Sequence, residues 1–85
     1  MNHERLAALM QEQREAKDAN PEAHTTHETI LSILSMLDSK DITEGHALRI
    51  LGYQAMRMAD TAAHAALYRQ AAADLRQMQR EERWR

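Results

Sequence analysis

The apolar side chains of this chain recur every three to four residues, which is the spacing of one face of a helix. Strand-forming residues are scarce, because the sequence contains neither Val nor Phe and most of its Thr residues stand where helix caps are expected. We therefore predict an all-α fold, a helical hairpin or three-helix arrangement with a long C-terminal helix, in one domain spanning residues 1–85.

The first half of the sequence predicts two helices. One covers about residues 3–18 and has a narrow apolar stripe. The Asn20–Pro21 pair then ends it and starts the next, about residues 22–38, since Asn caps helices and Pro fits the first helical position. The Thr25–Glu28 capping box is a competing start. The second helix has the densest aliphatic stripe and should occupy the centre of the core: Ile30, Ile33, Leu34 and Leu37.

The third predicted helix is the longest and covers about residues 42–83. A short turn joins it to the second helix, and either Asp41 or Thr43 can cap its start, so these two helices should lie antiparallel. Beyond its first turn the segment contains no proline, one glycine at Gly52 and nine alanines between Ala55 and Ala73. This composition favours one continuous helix.

Such a helix is too long for a domain of this size. About 40 residues at ~1.5 Å each span about 60 Å, whereas the expected radius of gyration is near ~12 Å. We therefore predict a homodimer, symmetric or antiparallel, in which the alanine-rich segment packs against its own copy. In a competing interpretation Asp60 and Thr61 cap a separate last helix, which gives a compact four-helix bundle. The lack of glycine or proline at that point favours the continuous helix.

Charge is divided unevenly along the chain. Residues 1–45 carry four basic and nine acidic side chains, whereas residues 46–85 carry seven arginines and four acidic side chains, which together give the net charge of −2. Halves of opposite sign can attract each other within a bundle or align two chains.

The sequence offers little catalytic chemistry. It has no cysteine, which excludes disulfides, thiolate metal sites and thiol redox chemistry. His24, His27 and Glu28 form the one cluster that resembles a metal site, but they lack the His-Glu-x-x-His order of a zinc enzyme. Neither a glycine-rich phosphate loop nor a nucleophile elbow is found. We expect no enzymatic activity, no metal and no cofactor.

We expect instead a small non-enzymatic interaction protein, an adaptor, inhibitor or regulator, that binds itself and an unidentified protein partner through helical surfaces. The candidate residues form an adaptable patch, an alanine contact and an arginine-rich end: Tyr53, Met56, Arg57, Ala62, Ala65, Ala66, Arg69, Arg76, Arg80 and Trp84. Met36 and Met58 are expected in the core. Small helical proteins of this kind are common among bacterial accessory proteins, which is an analogy only.

Two other functions compete with this one. Arginines and a tryptophan can bind phosphates and stack on bases, so the C-terminal half could serve a nucleic-acid-associated regulator. A helix-turn-helix within residues 31–51 is disfavoured, because Asp41 and Glu44 would face the phosphates. A four-helix-bundle metal or ligand sensor would use the histidines. The longest apolar run, Thr29–Leu37, is too short to span a bilayer, and no signal peptide is recognisable, so we expect a cytoplasmic protein without membrane contact.

Overall fold

The computed structural model describes residues 2–84, and within them the chain is helical, with no strand. The helices are α1 (His3–Ala19), α2 (His24–Asp38), α3 (Glu44–Tyr53) and α4 (Ala62–Arg83). A 3-10 turn (Pro21–Ala23) precedes α2, and a π-helical turn (Gln54–Met58) extends α3. The prediction of an all-α fold is confirmed for this part of the chain.

Helices α1 and α2 form an antiparallel hairpin. At one end Nδ1 of His3 lies 2.6 Å from Oδ1 of Asp38, and near the other end Nζ of Lys17 lies 3.8 Å from Oε1 of Glu28. Helix α1 starts at a side-chain cap, because Oδ1 of Asn2 accepts the backbone N–H of Arg5 at 3.0 Å. These contacts fix the register of α1 on α2.

The start of α2 departs from one prediction. Pro21 occupies the first position of the 3-10 turn, where its missing N–H is not needed. The capping box predicted at Thr25–Glu28 is wrong, because α2 begins at His24, directly after the 3-10 turn, and no side chain caps it. Thr25 therefore lies inside the first turn, and its carbonyl accepts the hydroxyl of Thr29 at 2.9 Å.

Helix α2 is the centre of the core, as predicted. It packs against α1, α3 and α4. Its stripe is almost fully buried, and Ile30 has no exposed surface at all. The remaining core side chains come from all three neighbours and include Leu6, Leu9, Leu51, Tyr68, Leu75 and Met78.

A tight link joins α2 to α3. The backbone N–H of Asp41 donates to the carbonyl of Met36 at 2.9 Å, and that of Lys40 donates to Leu37 at 3.1 Å, which is the paired arrangement of a Schellman motif. This motif places Lys40 in the left-handed region, with φ of 63°. Of the two caps predicted for the next helix, Thr43 is the one used: its Oγ1 accepts the backbone N–H of His46 at 3.1 Å.

The prediction of one helix over residues 42–83 is wrong. The helix ends in the π turn, Ala59–Thr61 are not helical, and α4 starts at Ala62 with Thr61 as its N-cap. Oγ1 of Thr61 accepts the backbone N–H of His64 at 3.1 Å. The competing interpretation, a four-helix bundle with a cap at this point, is the one that the structure adopts.

Packing explains why the break forms without glycine or proline. Helix α4 turns back along α3, so that Glu44 at the start of α3 lies beside Gln79 and Arg83 near the end of α4. This buries Tyr68, Leu75 and Met78, at about 1.5–3 kcal/mol per side chain. Interrupting the helix loses a few backbone hydrogen bonds at about 0.5–1.5 kcal/mol each. Burial therefore outweighs helix continuity.

The bundle that results is short. Its radius of gyration is 12.3 Å and its longest dimension is 38 Å. Because α4 lies against α2 and α3 of its own chain, its apolar face is already covered. The exposed rod from which we predicted a homodimer is therefore absent, and that prediction loses its original argument.

Candidate interaction surface

Exposed apolar side chains are concentrated at the end of α3. Tyr53, Met56 and Met58 are 57%, 78% and 56% exposed, and together they make up three of the five large hydrophobic side chains that face solvent within residues 2–84. Arg57 lies among them and is also exposed. We call Tyr53, Met56, Arg57 and Met58 the Tyr53–Met58 surface.

The π turn sets the geometry of this surface. The backbone N–H of Ala59 donates to the carbonyl of Gln54 at 2.9 Å, so one extra residue is accommodated in the last turn. Ala55 faces inward and is buried, whereas Met56, Arg57 and Met58 follow one another on the outside. Three consecutive exposed side chains, two methionines and one arginine, therefore spread around the end of the helix. Single-turn π segments of this kind occur frequently at functional sites.

The sequence identified most of this surface. Tyr53, Met56 and Arg57 were predicted as a patch, and all three are exposed. Met58 was predicted in the core and is exposed instead, because the chain leaves the helix directly after it. Met36, also predicted in the core, is 37% exposed on α2. The possible cap at Thr61 was the sequence signal that could have predicted the exposure of Met58, because a new helix starting there requires the preceding helix to end near Met58.

A second exposed face runs along α4. With 3.6 residues per turn, the arginines at positions 69, 76, 80 and 83 lie on one side of the helix, and all four are exposed. None of them forms an ion pair with another residue of the described chain. The three carboxylate side chains of α4 lie on other sides of the helix. One of them belongs to Glu81, whose Oε2 is 3.7 Å from Nε of Arg5 on α1. We call these four residues the arginine face.

The predicted alanine contact is divided between two sides of α4. Ala65 is buried in the bundle of its own chain, whereas Ala62 and Ala66 are exposed. Ala65 therefore cannot contact a second copy while the bundle is closed. Trp84, at the end of α4, is 86% exposed and accordingly available to a partner.

The histidines do not converge on a metal site. His24 is exposed, but His27 is buried, with its Nδ1 2.7 Å from Oε1 of Gln13 on α1. Burial, and secondarily the nearby His64 on α4, lower the pKa of His27 below its ordinary value of 6.5. Within residues 2–84, no group of three His, Asp or Glu side chains could hold a metal ion.

A cavity of about 390 Å³ lies between the starts of α2 and α4. Its titratable lining groups are Glu22, Asp60, His64 and Tyr68, and the π turn forms another part of its wall. The cavity offers hydrogen-bonding groups, but not the convergent ligands that a zinc site requires.

No family model, no curated protein and no solved structure is found to match this chain. Across the residues described, none of the helices combines the length and the apolar character needed to cross a bilayer. The function is therefore inferred from the exposed surfaces themselves.

Proposed function

We propose that this chain is a small non-enzymatic interaction protein that binds a protein partner through the Tyr53–Met58 surface. The observation that carries the proposal is the exposure of Tyr53, Met56 and Met58 within six consecutive residues, at the end of α3 and in the π turn that follows. Exposed apolar side chains scattered singly are ordinary, whereas a contiguous group edged with polar residues is typical of an interaction site.

The side chains suit this role. Tyrosine and arginine are enriched at the centres of protein interfaces, and methionine adapts to irregular partner surfaces. Arg49, one turn before Tyr53, is also exposed, so Arg49 and Arg57 place cations on the same side of the helix. The surface therefore fits an amphipathic partner segment with apolar anchors and nearby carboxylates.

A crosslinking experiment tests the proposal in the source cells. A photoreactive phenylalanine analogue replaces Tyr53, and the same analogue at the exposed Ala7 of α1 serves as the control. We expect one protein to be captured from position 53 and not from position 7. Equal capture from both positions would contradict the proposal.

The captured protein is then purified and its affinity measured. Met56→Ser should weaken binding at least about tenfold, equivalent to about 1.4 kcal/mol, because it removes an apolar anchor. Met36→Ser is the matched control, since Met36 is also an exposed methionine but lies on α2. If the two variants bind equally well, the Tyr53–Met58 surface is not the binding site.

The arginine face supports a second candidate, binding to nucleic acid. Its four exposed arginines, which form no ion pair within residues 2–84, can contact phosphates, although the chain as a whole has a net charge of −2. Four phosphate contacts on a duplex predict a slope of about −3.6 in log affinity against log salt. Fluorescence anisotropy with a labelled duplex measures this slope. Arg76→Gln should make it shallower by about 1, whereas Arg14→Gln on α1 should leave it unchanged.

A further inference from the structure

The break between α3 and α4 has unusual chemistry for a permanent turn. We call Ala59–Thr61 the hinge. It contains neither glycine nor proline, and its described backbone conformations are ordinary extended ones, with φ of −65° at Ala59 and −135° at Thr61. No residue of the hinge is prevented from becoming helical, the segments on both sides of it are helical, and α4 contains seven alanines.

Few local interactions hold the hinge in its bent form. One is the N-cap, in which Oγ1 of Thr61 accepts the backbone N–H of His64. Another is the π-type bond from Ala59 to Gln54. The bent form is maintained mainly by burial of the α4 face, to which Tyr68, Leu75 and Met78 contribute, against α2 and α3.

That burial does not depend on which chain supplies α4. If the hinge becomes helical, residues 44–83 form one rod of about 60 Å, which exceeds the 38 Å length of the bundle. Helix α4 then leaves the bundle formed by its own chain, and its apolar face can be covered by α2 and α3 of a second copy. A short hinge that gains helical hydrogen bonds on opening favours such an exchange.

We propose that two copies of this chain exchange α4 through the hinge to form a domain-swapped dimer. In the swapped dimer the contacts of α4 with α2 and α3 are retained, but they are made between chains. The free-energy difference between monomer and dimer then comes from the two hinges with their adjoining π turns and from the loss of independent motion on association. The inference does not rest on the partner-binding function proposed above, although opening the hinge would convert the π turn of the Tyr53–Met58 surface into α-helix.

Two cap variants with the same local geometry test the proposal. Thr61→Ala removes the cap of α4 and improves helix propensity at the hinge, so it favours the open form. Thr43→Ala removes the equivalent cap of α3, whose bond is also 3.1 Å long, but Thr43 lies outside the rod. Because a dimer has two hinges, Thr61→Ala should strengthen self-association at least about tenfold, and Thr43→Ala should not change it.

A proline variant gives the opposite effect. Ala62 is exposed at the first position of α4 and follows an extended residue, so proline fits there in the bent form. In a continuous helix the same proline lies in the interior and breaks it. Sedimentation velocity from micromolar to millimolar protein should therefore show Ala62→Pro as a monomer throughout. A dimer of unchanged affinity in this variant overturns the proposal, as does a Thr61→Ala variant that remains monomeric at millimolar concentration.

Crosslinking distinguishes exchange from simple surface contact. The chain has no cysteine, so Arg5→Cys and Glu81→Cys, which replace an ion pair between α1 and α4, can be joined selectively by a bis-maleimide. In the isolated dimer fraction of Thr61→Ala carrying this pair, we expect crosslinks between chains. Crosslinks confined within single chains of that fraction overturn the proposal.

Discussion

The link between α2 and α3 gives a sharp test of the backbone conformation. Lys40 is the one residue of the described chain other than glycine with positive φ, at 63°, and it is exposed. A residue with a Cβ atom is destabilised in the left-handed region by about 1–2 kcal/mol, because Cβ approaches the neighbouring carbonyl. Glycine lacks this contact, but it is more flexible in the unfolded chain, at a cost of about 0.5–1 kcal/mol. Lys40→Gly should therefore stabilise the fold by about 0.5–1 kcal/mol.

Two further substitutions isolate the cause. Lys40→Ala keeps Cβ and removes the charge, so its free energy of unfolding should stay close to that of the wild type. Lys40→Val adds a branched side chain where φ is positive and should destabilise by more than about 1 kcal/mol. The Schellman hydrogen bonds of Lys40 and Asp41 use backbone atoms only, so all three variants can form them.

Urea unfolding followed by circular dichroism measures these differences. The midpoint should rise for Lys40→Gly without a change in m, since the surface exposed on unfolding is the same. For a domain of this size, 1 kcal/mol corresponds to a shift of about 4–8 °C in Tm. If Lys40→Gly is no more stable than Lys40→Ala, the left-handed conformation is not the source of the destabilisation and the reasoning fails.

Substitutions at three other positions probe the core and the surface. Ile30→Ala should cost about 2–5 kcal/mol in urea unfolding and Ile30→Val only about 0.5–1.5 kcal/mol, because Ile30 is fully buried; equal losses would argue against a packed site. The pKa of His27 is lowered in the fold, so its neutral form contributes stability that is complete above pH 6.5 and is lost as pH falls through the lowered pKa. His27→Gln should therefore make the free energy of unfolding less dependent on pH in this range. An unchanged pH dependence would contradict the role of His27. Met56→Ser should change the free energy of unfolding by less than about 0.5 kcal/mol, and a larger loss would place Met56 in the core.

Much of the candidate surface could be predicted because it depends on local chemistry. Tyr53, Met56 and Arg57 are spaced for one helix side, and all three are exposed. Met58 was missed because its exposure depends on where the helix ends, which is a tertiary outcome. Ala65 was assigned to a contact with a second copy because a continuous helix would leave it uncovered. In the structure α4 turns back and buries Ala65 within its own chain.

The sequence by itself determined the all-α class, the α1 and α2 segments and the core position of α2. These follow from apolar spacing, from Pro21 and from the scarcity of strand-forming residues, all of which act over a few residues. Thr43 and Thr61 were likewise readable as caps, because a hydroxyl three residues before a free N–H is a local feature.

Only the tertiary structure decided the path of residues 42–83. Local propensity favours a continuous helix there, as alanine is the strongest helix former. The folded chain instead ends the helix at the π turn, because turning back buries Tyr68, Leu75 and Met78. Propensity differences of tenths of a kcal/mol per residue are smaller than that burial, which depends on residues far away in the sequence.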